Sequence, residues 1–298
     1  MHLQVTSGCS SKRVLRFLSR YAKVSEPAGA TRASKRRAAS GHAQRRELAF
    51  GPDIRLEPFV AVGAERRGPN ARKEGIFGLN ESASLLPWRR LTRVVVFGAG
   101  GHGRVVADAA RCAGAEVLGF LDDRRAVGDE VSLGRVLGGR GWWRAHPDVA
   151  IALGIGANDL RKELAAELEA DGMAPATVIH PSAVVARTAR VDSGAVVLAL
   201  AVINPDAHVG AGAIVNSGAV VEHDVCVGSY AHVSPRAVLA GSARLGELSQ
   251  LGASACILPG VSVGPRCLVG AGAVVTRDIP GDCICMGVPA RVTRHVLG

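Results

Sequence analysis

Aromatic side chains are scarce in this chain. Three Trp, two Tyr and six Phe make up 4% of 298 residues, against 37 Gly, which argues against an ordinary core. Long apolar runs are also missing. Nothing reaches the roughly 20 residues of a membrane span, and nothing suits the apolar centre of a secretory signal. Seven Cys are present, but their spacing forms no disulfide framework; Cys283 and Cys285, separated by one residue, suit neither a zinc knuckle nor a redox pair. Reduced thiols in a cytoplasmic protein are the expectation.

The net charge of +10 at first suggests a nucleic-acid partner, but its distribution argues otherwise. Residues 1–90 carry 18 Lys and Arg against 7 Asp and Glu, whereas residues 91–298 carry 18 against 19. The basicity belongs to a leader and not to the body that follows. Three readings of residues 1–90 stand: an Arg- and Ser-rich transit segment, a disordered basic arm, or an artefact of a start site placed too far upstream. The last is preferred, because sharp organisation begins at Leu91.

Residues 91–180 read as a nucleotide-binding α/β domain. In "RVVVFGAGGHGRVVADAARCAG", Val94 to Phe97 suit a buried parallel strand. Gly98, Gly100 and Gly103 then form G-x-G-x-x-G, and Val105, Val106, Ala109 and Ala110 recur at helical spacing. A second strand, "EVLGFLDD", ends on Asp122 and Asp123, at the offset of a ribose contact. "DVAIALGIG" gives a third strand, and "NDLRKELAAELEADG" a capped amphipathic helix. Glycines and a helix N-terminus admit a phosphate. The fingerprint alone permits a dehydrogenase or an unliganded turn. About 90 residues make only half of a dinucleotide fold, so a single nucleotide is expected.

From Ala183 to Asp278 the chain divides into sixteen hexads without insertion. Position one is Ala, Ser, Cys or Val throughout, and position three Val, Ile or Leu. This repeat specifies a parallel β-helix, with positions one and three inward and three hexads per coil. Sorting the outward position two by face gives Val184, Val202, Val220, Val238, Cys256 and Val274 on one face; Arg190, His208, Cys226, Arg244 and Ser262 on the next; Val196, Ile214, His232, Gln250 and Leu268 on the third. Six apolar side chains in one column point to a subunit contact, and a prism with one such face suits a trimer. Cover by the first domain or a helix is the alternative.

In "AVVEHDVCVGSYAHVSP", His223 falls at a turn and His232 on another face, too far round the coil to touch within one chain. Three readings apply: surface histidines, a zinc site with His208, or a general base. Imidazole titrates near working pH, and Asp224 or Glu222 would orient it and raise its basicity. Ser229 and Cys226 have no partner base, so no covalent nucleophile is expected; nor is a metal.

Residues 91–298 resemble the bacterial sugar O- and N-acyltransferases of the sialic-acid O-acetyltransferase type, with UDP-4-amino-sugar N-acetyltransferases the nearest likeness. The motifs are "FGAGGHG", "FLDD", "GIGANDLRK", "NSGAVVEHDVCVGSYAHVSP" and "GVPAR". The resemblance implies a left-handed β-helix over 181–298 with a C-terminal tail, trimerising around acetyl-CoA. It implies direct acetyl transfer to a nucleotide-linked amino sugar, with His223 as base and Asp224 tuning it. It puts His232 at the thioester, Ala253 and Ala271 along the CoA groove, Gly100, Gly101 and His102 at the UDP phosphates, Asp122 and Asp123 at the uridine end, and Gly156 near the sugar. O-acetylation of sialic acid or another surface sugar, and a non-catalytic nucleotide-binding scaffold, remain as rivals.

Overall fold

The computed structural model describes residues 93–295; the basic leader read at 1–90 lies outside them. The α/β part runs β1 (Arg93–Phe97), α1 (Gly101–Cys112), β2 (Glu116–Leu121), β3 (Glu130–Val131), β4 (Gly134–Gly138), β5 (Ala150–Leu153) and α2 (Asn158–Ala170). The sheet order is β3-β4-β2-β1-β5. The three pairings among β4, β2, β1 and β5 are parallel, and only β3 is an antiparallel edge.

β1 is apolar on both faces because both are covered. Val94 and Val96 pack with Val106 and Ala110 of α1, while Val95 and Phe97 pack with Leu164 and Leu168 of α2. Parallel pairing brings the carboxyl ends of β1, β2, β4 and β5 to one edge, where ligands of open α/β sheets bind. The glycine loop fits tightly there: a Cβ on Gly103 would stand 1.7 Å from the Gly98 carbonyl oxygen, so α1 can begin against β1 only with glycine at that position.

The hexads form a left-handed β-helix. Positions two and three of each hexad pair in parallel with residues eighteen further on, as in Val202 with Val220 and Ile203 with Val221. Three ladders result: six strands through Val184 to Val274, five through Arg190 to Ser262, and a third that begins at Val178–Ile179 and ends in the hairpin Cys283–Met286 and Arg291–His295. Ala201, Ala219 and Ala237 at position one leave room for Ile203, Val221 and Leu239 at position three, and all are buried inside the prism. Small and large inward residues alternate, so the core fills without aromatic rings.

Position six of fourteen consecutive hexads, from Gly194 to Gly272, has φ between 51° and 71°. Left-handed backbone disfavours residues with a Cβ, yet Asp224, Ser242 and Leu248 adopt it. Hydrogen bonds offset the strain. The Asp224 N–H donates to the Pro205 carbonyl one coil below, and the Ser242 N–H donates to that of His223.

The α/β part covers the third ladder. Val196 and Ile214, expected to point outward, are fully buried against α1, and His232 is 8% exposed. The first ladder is not covered in this way: Val184 is 63% exposed, and Val202, Val220, Val238, Cys256 and Val274 are half-buried. The chain's own first domain therefore leaves the apolar column open.

Candidate active site

His223 stands at position five, on the edge of the prism bordering the first ladder. The left-handed backbone of Asp224 turns its carboxylate back, and Oδ2 meets Nδ1 of His223 at 2.8 Å. Both side chains are exposed. The hydrogen bond to Asp224 raises the imidazole above its ordinary range, with a smaller contribution from Glu222. Nδ1 is occupied, so Nε2 is the nitrogen left to exchange a proton. Ala253 and Ala271 lie exposed on the opposite border of the same ladder. The two halves of the expected site thus flank one open apolar face.

His232 is in a different environment. Asn216, not singled out in the sequence, fixes its state. The Asn216 side-chain oxygen accepts the Ser217 N–H at 2.8 Å, so its amide nitrogen donates to His232 Nε2 at 3.0 Å. Nε2 is therefore the lone-pair nitrogen, and Nδ1 carries the proton of the neutral ring. Nδ1 is buried, with the Gly156 carbonyl facing the ring. The ring of His102, from the first turn of α1, lies with its centroid 6.1 Å away, and its Nε2 is also buried without a partner. Burial, then the charge of Arg161, lowers both imidazoles to about 4. His102 and His232 are neutral at pH 7. A reading of His232 as a free donor to a thioester must accommodate a ring already held by Asn216.

At the carboxyl edge of the parallel sheet, where a nucleotide was expected, Gly100, Gly101 and Gly156 border open space. The two aspartates are already engaged. Asp122 accepts the N–H of Ala99 at 2.9 Å and of Arg124 at 2.9 Å; Asp123 accepts the backbone N–H and Nε of Arg140 at 2.8 and 2.9 Å. They brace the loops at the carboxyl ends of β2 and β4. Arg140 also meets Glu163 and Glu167 of α2. The expected helix cap is absent: the N-cap is Ala157, and the Asn158 side chain turns to the Leu248 carbonyl at 2.8 Å. The zinc trio does not converge, since His208 pairs with Asp192 at 2.7 Å on the second ladder.

Residues 93–168 match the family model described as the PglD N-terminal domain. UDP-N-acetylbacillosamine N-acetyltransferase of Bacillus subtilis (strain 168) is 35% identical over 121 residues, 37% of this chain and 52% of the relative; the chain spans about half the length of that curated protein. Perosamine N-acetyltransferase of Caulobacter crescentus, solved in complex with CoA and GDP-perosamine, is 35% identical with a TM-score of 0.66, over 69% of this chain and 98% of that one. The acetyltransferase domain of PglB from Neisseria gonorrhoeae FA1090, solved with acetyl coenzyme A, is 36% identical with a TM-score of 0.65, over 68% and 100%. Near-complete cover of the two solved relatives at 35% and 36% identity means that the chain belongs to the hexapeptide-repeat sugar O-/N-acyltransferase family.

Proposed function

We propose that this chain transfers the acetyl group of acetyl-CoA to the amine of a nucleotide-linked amino sugar, with His223 as general base. The relatives include N-acetyltransferases solved with CoA or acetyl-CoA and with a nucleotide-linked amino sugar. The observation that carries the reading is the His223–Asp224 pair: an exposed imidazole with Nδ1 tied at 2.8 Å and Nε2 available. The amine nitrogen attacks the thioester carbonyl carbon, and Nε2 takes the proton the nitrogen sheds. The carbon–sulfur bond then breaks, and coenzyme A leaves as thiolate or, with a proton, as thiol. Asp224 keeps Nδ1 protonated and stabilises the imidazolium that forms. Fixing both substrates on one rigid scaffold supplies a further part of the acceleration.

Trimerisation through the first ladder accompanies this reading. Packing that column around a three-fold axis sets the His223 border of one chain against the Ala253–Ala271 border of its neighbour, making the acetyl-CoA groove a shared one. The nucleotide is assigned as UDP and the sugar as a 4-amino-dideoxy hexose, in line with the Bacillus subtilis relative; the Caulobacter crescentus relative was solved with a GDP sugar. A cytoplasmic location accompanies this reading; among the described residues no helix is long and apolar enough to cross a membrane.

The test is thiol release from acetyl-CoA with a panel of UDP- and GDP-linked 4-amino sugars, their 4-hydroxy counterparts and free sialic acid. Turnover only with the amines supports the proposal. Turnover only with hydroxyl acceptors makes the chain an O-acetyltransferase, and none with any acceptor leaves a nucleotide-binding scaffold.

A further inference from the structure

The start of α2 is fastened to the β-helix by two side chains that read three successive coils. Asn158 donates to the Leu248 carbonyl at 2.8 Å. Arg161 donates from Nε to the Gly212 carbonyl at 2.7 Å and from Nη2 to the Tyr230 carbonyl at 2.6 Å. Gly212, Tyr230 and Leu248 stand eighteen residues apart, each at position six of its hexad. Their left-handed backbone places carbonyl groups one above another along one edge. Arg161 Nη2 also meets Asn158 Oδ1 at 2.8 Å, while Nη1 holds the Ile155 carbonyl at 2.9 Å. The guanidinium is fully buried, and none of these partners is a carboxylate. Burial lowers its pKa to about 10, so it remains charged at pH 7.

We propose that Asn158 and Arg161 are positioning residues of the acetyl-transfer reaction, setting the Ile155–Gly156 loop over the turn that carries Tyr230, Ala231 and His232. The inference rests on the proposed N-acetyltransferase function. Burying an unneutralised cation is costly, and an apolar side chain would fasten two layers more cheaply. What the guanidinium adds is a planar fork of five N–H donors that serves several acceptors in fixed directions. It fixes the separation between the loop expected to face the sugar and the strand of His232. Its charge also helps keep His102 and His232 neutral.

The test compares Arg161→Lys and Asn158→Ala with Lys162→Ala. Lys162 makes an exposed ion pair with Glu247 on the same edge and serves as the control. An error of about 1 Å in placement costs on the order of 100-fold. Arg161→Lys is therefore expected to lower kcat/KM for the nucleotide sugar by about 10- to 100-fold. Asn158→Ala, which keeps the guanidinium, is expected to lower it by about 3- to 10-fold. The acetyl-CoA Kd, read by calorimetry, should change less than about 2-fold in both, and Lys162→Ala should match wild type. A merely structural role predicts a lower Tm with unchanged kcat and KM in the folded fraction; that result overturns the inference. Should Arg161→Lys fail to fold, Asn158→Ala decides alone, and wild-type kinetics there overturn it equally. If the wild-type protein acetylates no nucleotide amino sugar, the proposed function fails instead, which the unsubstituted enzyme reports first.

Discussion

The Nε2 atom of His223 fills the space in which a side chain on Gly241 would begin: a Cβ on Gly241 would stand 2.6 Å from Nε2 and 2.7 Å from Cε1. Gly241 lies eighteen residues after His223, one coil above it. Its φ lies outside the left-handed region, so the ring and not the turn requires glycine. Gly241→Ala is expected to leave Tm nearly unchanged, push the imidazole aside and lower kcat by about 10- to 100-fold. In a His223→Ala background the same change should cost nothing further. A double-mutant cycle measures this, and additive losses would refute the packing argument.

His223→Ala itself should lower kcat by roughly 10²- to 10⁴-fold, the usual contribution of a general base, with the Kd of both substrates close to wild type. The base acts in its unprotonated form, so activity falls as pH drops through its pKa. The hydrogen bond to Asp224 raises that pKa, and the acid limb of kcat/KM should therefore lie above the ordinary histidine value of about 6.5. Asp224→Ala removes the largest cause of the rise. Its acid limb should move down toward 6.5 while the plateau falls. A limb that stays in place would mean that another group titrates.

The prism was legible because its signal is repetitive. Each hexad restates the same inward pair, so Ile203 or Leu239 is placed by register alone. The three outward columns matched the three ladders for the same reason. The columns did not reveal which face the first domain covers. Val196 and Ile214 differ little in type from Val202 and Val220, and only packing against α1 separates them. The β3–β4 hairpin was missed because the two residues of β3 leave no periodic trace. Asn216 was passed over as one polar residue in a turn, and its contact with His232 spans sixteen residues. Arg161 was not singled out within its amphipathic helix, since a helical pattern does not show that successive coils present the Gly212 and Tyr230 carbonyl groups to it. The Asp122 and Asp123 offset was visible, but not the protein donors that occupy both carboxylates.

Neutral buried histidines tie stability to pH. His102 and His232 have folded pKa values of about 4, below the ordinary value of about 6.5 that they regain on unfolding. Between those limits the unfolded chain binds more protons, so stability is full above pH 6.5 and is lost progressively as pH falls toward 4. Each ring accounts for on the order of 3 kcal/mol over that window. Urea midpoints at pH 7, 6, 5 and 4.5 should show the decline. His232→Gln, although less stable at pH 7, should flatten it. An equally steep decline in that variant would assign the effect to other groups.

The open valine ladder gives the sharpest test of assembly. Burying an unpaired carboxylate in an apolar contact is unfavourable by several kcal/mol, whereas the same group on a solvated face costs little. Val220 occupies the third of six rungs and Val184 the first, where it is 63% exposed. Val220→Asp should leave the far-UV circular dichroism of the prism intact, since position two does not enter its core. It should convert a trimer to monomers in sedimentation velocity. With the shared groove gone, acetyl-CoA binding and turnover should fall together, and Val184→Asp should do much less. If the wild-type chain already sediments as a monomer and still turns over, the ladder serves another contact, and the His223 and Ala253–Ala271 borders act within a single subunit.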